Sequence, residues 1–476
     1  MRDSYDVIVL GAGPTGENVA DRAVRGGLSA AIVEPELVGG ECSYWACMPS
    51  KALLRPGAAL AAARAVDGAR QAVTGAQDVR ATLGRRDSFA SHWRDDGQVS
   101  WLDGAGIDLV RGHGRISGPR TVTVTPHGTG GDGGERVLTA AHAVVVCTGS
   151  RAVLPDLPGV AGADVWTSRD ATSAMIPPER LAVVGGGVVG CEMAAAWATL
   201  GTRVTLLARD DRLLPRMEPF AGEAVRVGLN AQGVVVRSGV TVDAVDREVT
   251  VALTLSDGSQ LIADEVLFAT GRAPGTDDIG LDAIGLKPGR PLGVDTTGRV
   301  RDVPDGWLYA AGDVTGDAPL THMGKYAARA VGGVIAARAA GRAAADGPWQ
   351  EHATTALGAA VPQVVFTDPE VASVGLTERE ATSAGRAVRA VEFDMGSVAG
   401  AALYADDYPG RAKIVVDTER RVLVGATFAG PGAGELLHAA TIAVTGEVPL
   451  DRLWHAVPSY PTISEVWLRL LEAYGL

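Results

Sequence analysis

A glycine-rich turn between an apolar strand and a helix is the feature that most constrains the fold of this chain. This turn occurs twice in the chain. The first turn, Gly11-Ala-Gly-Pro-Thr-Gly16, follows the apolar run Val7–Leu10, and we predict a helix after it through Val24. The next predicted strand ends at Glu34. Such a turn lets a pyrophosphate approach the amino end of the helix, and the acid hydrogen-bonds a ribose. The residues predicted to bind this first dinucleotide are Gly11, Gly13, Gly16 and Glu34.

The whole arrangement recurs further along the chain. A second apolar strand, Leu181–Val184, enters Gly185-Gly-Gly-Val-Val-Gly190, and a further strand is predicted at Arg203–Leu207. Each half closes with a similar apolar run that ends in Thr-Gly, namely Val144–Gly149 and Val266–Gly271. This internal repeat of a strand–turn–helix architecture predicts an α/β fold with two dinucleotide-binding halves.

The second copy differs from the first at the end of its second strand. Ala208 occupies the position of the acid, and Arg209 follows, with Arg216 nearby. An acid would repel a 2′-phosphate, whereas arginine binds it well, so we expect NADP rather than NAD here. The alternative is a solvated basic loop, since Asp210 and Asp211 partly cancel the charge. The residues predicted to bind this second dinucleotide are Gly185, Gly187, Gly190, Arg209 and Arg216.

Two cysteines follow the first dinucleotide-binding unit, in the segment Gly39–Lys51. In an unbroken helix the Cα atoms of Cys42 and Cys47 would lie about 8 Å apart, too far for a disulfide. A bridge therefore needs a bent first turn or a start before the helix, and a slightly strained, reducible bridge is the redox-active kind. The glycine pair before Cys42 and Pro49 after Cys47 are compatible with such a bend.

Composition limits the classes of function. The chain has 476 residues and a net charge of −13, which disfavours a nucleic-acid or anionic-membrane partner. The first residues lead directly into a predicted strand without a signal-peptide pattern, and no apolar run is long enough for a membrane span. The chain has 4 cysteines, too few for a secreted disulfide framework. We therefore expect the cytoplasm, where a cysteine pair indicates catalysis or metal binding, and we expect Cys147 and Cys191 to be inert core residues.

Several other segments have a predicted role in the fold. Two alternating runs between residues 120 and 140 predict a hairpin whose glycine-rich tip, near 127–134, has no assigned function. The run Leu308–Asp313 predicts a short strand that directs a carboxylate at a cofactor hydroxyl. The Ala/Gly/Arg segment at 335–348 predicts a linker or a surface helix. From about residue 350, β-type runs alternate with two helical patterns and predict an α+β domain.

These residues together resemble the class I pyridine nucleotide–disulfide oxidoreductases, the family of dihydrolipoamide dehydrogenase, glutathione reductase and mercuric reductase. The resemblance covers essentially the whole chain, in the order of the family. The matching segments are Gly11–Gly16 with Glu34, Cys42–Lys51, Gly185–Glu192, Thr270–Arg272, Ala311–Asp313, Thr367–Glu370 and Pro461–Glu465. The resemblance implies two Rossmann-like domains, for FAD and for NAD(P), and a C-terminal α+β dimerisation domain. The implied boundaries are 1–150 and 277–348 for the FAD domain, 151–276 for the NAD(P) domain and 349–476 for the dimerisation domain.

The resemblance also implies roles for individual residues. Cys47 would contact the flavin and Cys42 would attack the substrate, while Lys51, near the flavin, would pair with Glu192. FAD and NADPH are the implied cofactors, with NADH as the less favoured coenzyme. Further implied cofactor-binding residues are Gly40, Lys51, Thr148, Gly149, Gly271, Arg272, Gly312 and Asp313. The family is homodimeric, so residues 458–465 of one subunit would complete the thiol site of its partner.

One position departs from the disulfide reductases of the family, which have a histidine directly before Pro-Thr. Here that position is Tyr460, whereas Glu465, the partner of the histidine, is retained. A phenol has an unperturbed pKa of about 10 and does not exchange protons at neutral pH as imidazole does. We expect His455 to be a surface or interface residue.

The acceptor of the electrons therefore stays open between several possibilities. An unusual small disulfide, a quinone reduced directly by the flavin, and a mercuric ion are the three kinds of acceptor, and a flavin-bound redox sensor is the alternative to an enzyme. Tyrosine at position 460 resembles mercuric reductase, but the chain has no C-terminal cysteine pair. Tyr44 and Trp45, between the two cysteines, either shape the substrate entrance or pack against an interface. No metal ligands beyond the two thiols are predicted.

Overall fold

The computed structural model of the chain describes residues 2–126 and 134–476. Most of the glycine-rich hairpin tip near 127–134 lies outside the described residues. Within them, the strands are, in chain order, β1 (Ser4–Leu10), β2 (Ala30–Glu34), β3 (Ile107–Arg111), β4 (His113–Gly118), β5 (Thr121–Thr125), β6 (Arg136–Val146), β7 (Ser150–Ala152), β8 (Arg180–Val184), β9 (Arg203–Ala208), β10 (Val235–Ser238), β11 (Val242–Arg247), β12 (Val251–Leu255), β13 (Gln260–Ala263), β14 (Glu265–Phe268), β15 (Arg272–Pro274), β16 (Leu308–Ala310), β17 (Pro362–Val365), β18 (Glu370–Gly375), β19 (Val388–Asp394), β20 (Arg411–Asp417) and β21 (Val422–Gly430).

The α-helices of the same residues are, in chain order, α1 (Pro14–Arg25), α2 (Gly40–Tyr44), α3 (Cys47–Arg64), α4 (Val79–Phe89), α5 (Asp96–Gly104), α6 (Ser168–Ser173), α7 (Val188–Thr199), α8 (Pro219–Ala231), α9 (Thr321–Ala339), α10 (Ala356–Ala359), α11 (Glu378–Ser383), α12 (Ala399–Tyr404), α13 (Leu437–Thr445), α14 (Leu450–Leu453) and α15 (Val466–Tyr474). Among the described residues, no helix combines the length and the apolar character needed to cross a membrane.

The chain divides into two units, and three segments make up each of them. The first unit contains residues 1–48, 87–152 and 272–358, and the second contains 49–86, 153–271 and 359–476.

The first unit is built on a seven-stranded sheet in the order β3-β2-β1-β6-β5-β4, with β16 also paired to β6. The pairs β1–β2, β1–β6, β2–β3 and β6–β16 are parallel, and β4, β5 and β6 pair in antiparallel fashion. The antiparallel β5–β6 pair confirms the hairpin predicted between residues 120 and 140. Because the parallel strands share a direction, the residues that follow β1, β2, β6 and β16 meet at one edge of the sheet.

The central strand β1 is apolar at successive positions because layers of side chains cover both faces of the parallel sheet. Val7 and Val9 pack on one face, in a cluster with helices α1 and α9, whereas Ile8 and Leu10 pack on the other. These four residues are between 0% and 1% exposed. The core therefore holds the glycine turn that follows Leu10 against two packed layers.

The second unit contains a four-stranded parallel sheet in the order β10-β9-β8-β14 and a three-stranded antiparallel sheet β11-β12-β13. Leu181, Val183 and Leu206 pack against α7 and α8, and Val184 and Phe268 pack on the opposite face with the three-stranded sheet. A five-stranded antiparallel sheet in the order β17-β18-β21-β20-β19 forms the C-terminal part of the unit. Its core includes side chains from α12, α13 and α15.

The predicted fold class, an α/β chain with two Rossmann-like domains and an α+β C-terminal domain, agrees with these sheets. One local prediction was only partly right, because residues 340–348 lie outside any helix, as expected of a linker, but the residues before them do not. The segment 335–348 was predicted to be a linker or a surface helix, but its first residues complete α9, and Ile335, Ala336 and Ala337 are buried. The alanine-rich composition of this helix end does not predict burial. Its residues are buried because small side chains allow α9 to approach α1 closely. A Cβ atom on Gly332 would lie 2.5 Å from the Cβ atom of Arg22.

Candidate cofactor and thiol site

The first glycine turn has two positions that only glycine can occupy. Gly11 has φ +94°, and a Cβ atom there would lie 2.5 Å from the carbonyl oxygen of Cys147. A Cβ atom on Gly16 would overlap the carbonyl oxygen of Gly11. Gly13 differs, because a Cβ atom there would meet no protein atom within 4 Å. The turn is therefore closed around Gly11 and Gly16 and open at Gly13, which leaves room for a phosphate at the amino end of α1.

Glu34 lies at the carboxyl end of β2 and is 8% exposed. Its Oε2 atom accepts a 2.7 Å hydrogen bond from the backbone N–H of Ala12, and Oε1 accepts one of 2.8 Å from the N–H of Glu36. Burial raises the pKa of Glu34, and these two hydrogen bonds act in the opposite direction. The carboxylate is thus fixed beside the glycine turn, where the acid of a ribose site belongs.

Asp313 belongs to a hydrogen-bonded chain in the first unit. The Ser150 hydroxyl donates a 2.6 Å hydrogen bond to Oδ2 of Asp313, and Arg272 Nε donates to Ser150 Oγ at 2.8 Å. Arg272 also lies 3.6 Å from the carboxylate of Glu41. Asp313 and Arg272 were predicted from the sequence, whereas the contribution of Ser150 was not.

The remaining predicted cofactor residues of this unit lie near the same edge of the sheet. A Cβ atom on Gly40, which has φ +57°, would lie 2.9 Å from the Cα atom of Gly13. A Cβ atom on Gly312 would lie 2.8 Å from Thr15 Oγ1, and Thr148 Oγ1 donates to the carbonyl of Gly275 at 2.6 Å. Gly149 follows with φ +69°. The unit therefore gathers its glycine-rich turns around the start of α1.

The two cysteines lie on either side of a helix break. Cys42 belongs to the short helix α2, Trp45 leaves the helical region with φ −135°, and Cys47 begins α3. This break is the distortion that a bridge between them requires. Both residues are thiols in the structure. The Thr321 hydroxyl lies 3.2 Å from Cys47 Sγ, a contact that sequence analysis missed.

The environment of Cys42 favours its neutral form. The hydrogen bond with Cys47 and burial raise the pKa of the Cys42 thiol, whereas Thr321 and Lys325 lower it. Cys147 and Cys191 are buried, and burial raises the pKa of each to about 12. A thiol must ionise to act as a nucleophile, so these two residues are the inert core cysteines that were predicted.

The segment between the two thiols is braced by a strained turn. Tyr44 is 1% exposed, and its hydroxyl donates to the carbonyl of Val38 at 2.8 Å. Trp93 Nε1 donates to the carbonyl of Tyr44 at 3.1 Å. Ser91, His92 and Trp93 have φ angles of +49°, +51° and +53°, an unfavourable left-handed run for residues with side chains. Tyr44 therefore packs inside the first unit, whereas packing of Tyr44 and Trp45 against an interface stays a prediction.

In the second unit, Lys51 and Glu192 form the predicted pair. Lys51 Nζ lies 2.7 Å from Glu192 Oε2, and Oε1 accepts a 3.0 Å hydrogen bond from the backbone N–H of Phe366. The side chain of Glu192 is 4% exposed, and that of Lys51 is 36% exposed. The Lys51 ammonium also lies 5.0 Å from the centre of the Phe366 ring. Both oxygens of the buried carboxylate are thus satisfied, which holds the lysine in one place.

The second glycine turn repeats the geometry of the first. Gly185 has φ +130°, and a Cβ atom there would overlap the carbonyl oxygen of Ala269. A Cβ atom on Gly190 would overlap the carbonyl oxygen of Gly185, whereas one on Gly187 would meet no atom within 4 Å. Gly271, after the last strand of the sheet, has φ +152°.

The arginines after β9 differ in their availability. Ala208 is buried, and its Cβ atom would lie 2.8 Å from a Cβ atom on Gly186. Arg209 and Arg216 are exposed, whereas Arg212 donates a hydrogen bond to the carbonyl of Pro215 at 3.0 Å. The place of the usual acid is thus filled by a methyl group, with exposed guanidinium groups next to it.

The C-terminal residues of the predicted site differ in how exposed they are. Tyr460 is 77% exposed, while Glu465 is partly buried and its Oε2 accepts a 3.3 Å hydrogen bond from the N–H of Gly400. His455 is exposed, as expected. Within residues 2–126 and 134–476, no three or more histidine, cysteine or acidic side chains form a group that could hold a metal ion.

Comparison with known proteins accounts for nearly the whole chain. The family described as pyridine nucleotide-disulphide oxidoreductase matches residues 5–343, and the dimerisation domain of that family matches residues 361–470. The chain is 31% identical over 467 residues to a mercuric reductase of Staphylococcus aureus, covering 97% of this chain and 81% of the relative. It is 32% identical over 478 residues to a dihydrolipoyl dehydrogenase of Thermus scotoductus, covering 99% and 97%.

Solved structures show the same fold. The Cu(II) complex of the HOCl-induced flavoprotein disulfide reductase RclA from Escherichia coli superposes with a TM-score of 0.83 at 22% identity, over 99% of both chains. Together with the family matches, these relatives show an FAD-dependent oxidoreductase with a dimerisation domain. The chain is a member of the pyridine nucleotide-disulphide oxidoreductase family.

Proposed function

We propose that the protein is a reductase that passes two electrons from NADPH, through FAD, to the Cys42–Cys47 pair and then to a small disulfide or a related acceptor. The observation that carries this proposal is the pair itself. The two sulfurs lie on separate helices with a hydrogen bond between them, and Thr321 lies against one of them. In a chain with two glycine turns, such a pair stores electrons between a nicotinamide coenzyme and an acceptor.

The residues of the first unit fit FAD. Gly11, Gly13 and Gly16 leave an open cradle at the start of α1, Glu34 stands at the ribose position, and Asp313 is oriented by Ser150. When bound there, FAD supplies the transfer of an electron pair between the coenzyme and the thiols. Lys51, whose ammonium is held by Glu192, is proposed as the positive charge that stabilises a reduced flavin.

The thiol steps balance in atoms and electrons. The S–S bond between Cys42 and Cys47 would become two thiols on receiving a hydride equivalent from the coenzyme and one proton from solvent. The Cys42 thiolate attacks an acceptor disulfide, whose S–S bond breaks, and the leaving thiolate takes a proton. The Cys47 thiolate then attacks Cys42 sulfur in the mixed disulfide, which restores the bridge and releases the second thiol.

NADPH is proposed as the coenzyme because Ala208 removes the acid that would repel a 2′-phosphate and because Arg209 and Arg216 are exposed beside it. We expect Arg209→Ala to lower kcat/KM for NADPH by tenfold to a hundredfold, since a charge-assisted hydrogen bond contributes about 1.5–3 kcal/mol. We expect kcat/KM for NADH to change little in the same variant. Arg203→Ala, which removes an exposed pair with Glu179, is the control. A wild-type protein that prefers NADH would contradict the proposal.

We further propose that the thiol site is shared between two subunits and that the protein works in the cytoplasm, where cysteine pairs are catalytic rather than structural. The support for sharing is the exposure of large apolar side chains around residues 458–465. Val457 is 84% exposed and Tyr460 77%. Such side chains mark an interface in a soluble protein. Sedimentation analysis of Val457→Glu tests this, and an active wild-type monomer would contradict it.

Direct reduction of a quinone is the second candidate function, and Tyr460 favours it. Without a histidine at this position, thiol exchange lacks the usual proton donor, whereas a flavin reaction does not need one. NADPH consumption with small disulfides, quinones and Hg(II) separates the candidates when wild type is compared with Cys42→Ala and with Cys147→Ala, a core thiol. Disulfide turnover that Cys42→Ala alone abolishes supports the thiol reductase. Quinone turnover that survives Cys42→Ala, without any disulfide turnover in wild type, overturns it.

A further inference from the structure

Helix α9 begins at the thiol pair and carries a lysine one turn further along. Its first residue is Thr321, whose hydroxyl contacts Cys47 Sγ. Lys325 is four residues later, and residues four apart lie on the same face of a helix. Lys325 is exposed. The face of α9 that contacts Cys47 through Thr321 therefore carries the positive charge of Lys325 one turn further along.

The charge of Lys325 acts on Cys42. The hydrogen bond with Cys47 and burial raise the pKa of the Cys42 thiol, and Lys325 opposes them together with Thr321. The amino end of a 19-residue helix adds a partial positive charge in the same place. Cys42 needs such help, since its own surroundings favour the unreactive neutral thiol.

A partly buried carboxyl group on the neighbouring helix interacts with the same lysine. Helices α1 and α9 are in close contact, and they leave no room for a side chain at Gly324. A Cβ atom there would overlap Thr15 Oγ1. Glu17 lies in the first turn of α1, and its Oε1 atom is buried without a hydrogen-bond partner in the described part of the chain. Burial raises the pKa of Glu17 to about 7, the charge of Lys325 opposes this, and Glu34 adds to it. Glu17 also interacts with Tyr44, since its charge is one of the causes that raise the pKa of that phenol.

We propose that the Lys325 ammonium, with Glu17 as its counter-charge, sets the fraction of Cys42 that is present as the reactive thiolate. This inference rests on the proposed function, in which the Cys42 thiolate attacks the acceptor. Lys325 is a positioning residue, since its own charge acts on the Cys42 thiol and it does not itself react with the acceptor.

The proposal predicts that the two residues have opposite effects on the ionisation of Cys42. Loss of the cation in Lys325→Gln raises the pH at which Cys42 ionises, by about half a unit to one unit for a partly exposed charge. This shift makes alkylation of Cys42 about threefold to tenfold slower near neutral pH. Loss of the anion in Glu17→Gln removes a like charge and lowers the midpoint. Lys325→Arg keeps the charge and leaves the midpoint near that of wild type.

The test measures alkylation of Cys42 directly. The FAD-loaded protein is reduced with a phosphine and treated with iodoacetamide at a series of pH values, and the Cys42 peptide is quantified by mass spectrometry. Lys287→Gln is the matched control, because Lys287 is also an exposed lysine but lies outside this cluster. A higher midpoint in Lys325→Gln, a lower one in Glu17→Gln and no change in Lys287→Gln support the proposal. A midpoint in Lys325→Gln that equals that of wild type overturns it, as does a shift of both variants in the same direction.

The same measurement keeps this inference separate from the proposed function. The phosphine reduces the bridge without a coenzyme, so the effect of Lys325 is measured even if NADPH delivers no electrons. Treatment of wild type with NADPH instead of the phosphine tests the proposed function. If NADPH produces no alkylated Cys42, the proposed function fails, whatever the midpoints of the variants are.

Discussion

Replacing Lys413 with methionine tests how the second unit tolerates a buried charge. The side chain of Lys413 is 7% exposed, and its ammonium lies 3.0 Å from Glu218, 2.6 Å from Glu378 and 3.5 Å from Glu392. Glu218 is 4% exposed, whereas the other two carboxylates are 50% and 42% exposed. Methionine has a similar length, so the change removes the charge and leaves Glu218 buried without its partner.

The size of the effect follows from the geometry. At the 3.0 Å separation of Lys413 and Glu218, Coulomb's law with an effective dielectric constant of 20 gives about 5–6 kcal/mol of attraction. Part of this offsets the desolvation of the lysine, and removing one member of a buried pair costs about 3–5 kcal/mol. Glu218 Oε1 retains a 2.7 Å hydrogen bond from the N–H of Glu378, so we expect the lower value, about 3 kcal/mol.

Thermal unfolding at a fixed protein concentration measures the loss. A destabilisation of about 3 kcal/mol lowers Tm by about 6–12 °C for a cooperative unit of roughly 150–250 residues. Lys287→Met, at an exposed position, is the control and should change stability by less than about 0.5 kcal/mol. The double variant Lys413→Met, Glu218→Gln should recover most of the loss, because no buried carboxylate is then left unpaired. A Tm for Lys413→Met within 2 °C of the control would refute the reasoning.

The dependence on pH provides a second check. Burial alone would lower the pKa of Lys413, but its hydrogen bonds with Glu378 and Glu218 raise the pKa above its ordinary value. A raised pKa in the folded state means that the contribution of the lysine is complete below its unfolded pKa of about 10.4 and is lost as the pH rises through the folded pKa. The difference between wild type and variant should therefore stay constant at neutral pH and shrink in strong alkali.

Two further predictions concern the cofactor sites. Gly190→Ala should lower Tm, because its Cβ atom would overlap the carbonyl oxygen of Gly185. Gly187→Ala should leave Tm unchanged, because its methyl group would meet no protein atom. It should weaken NADPH binding about tenfold or more, since only a ligand would meet that methyl group. Equal loss of Tm in both variants would contradict this. Ser150→Ala removes the hydroxyl that orients Asp313, so we expect FAD to dissociate about fivefold to tenfold more readily, as measured by fluorescence of released flavin. Ser117→Ala, which removes an exposed hydroxyl, should leave FAD retention unchanged.

The glycine turns show why much of the fold could be predicted from the sequence. Gly11, Gly16, Gly185 and Gly190 occupy positions where any side chain would meet backbone atoms, so backbone sterics dictate the sequence there. The apolar run Val7–Leu10 is equally informative, because a strand between two layers must be apolar at every position. Local constraints of this kind are readable without knowledge of the rest of the chain.

The contacts that were missed are all long-range. Ser150 reaches Asp313, Thr321 reaches Cys47, and the backbone N–H of Phe366 reaches Glu192. Serine and threonine are common residues, and a backbone N–H has no sequence signature, so no local pattern marks these partners. The buried end of α9 was missed for a related reason, since the burial of alanine depends on what packs against it rather than on its own hydrophobicity.

The helix break between Cys42 and Cys47 has a consequence for how the protein stores electrons. A bond between these residues closes a ring of about six residues, and the loop entropy removed by so small a ring stabilises a fold by only about 2 kcal/mol. The fold is held instead by its buried sheets and helix contacts, which do not include the thiol pair. In the function proposed above, this bond would open and close in each cycle while the folded state stays nearly the same in stability.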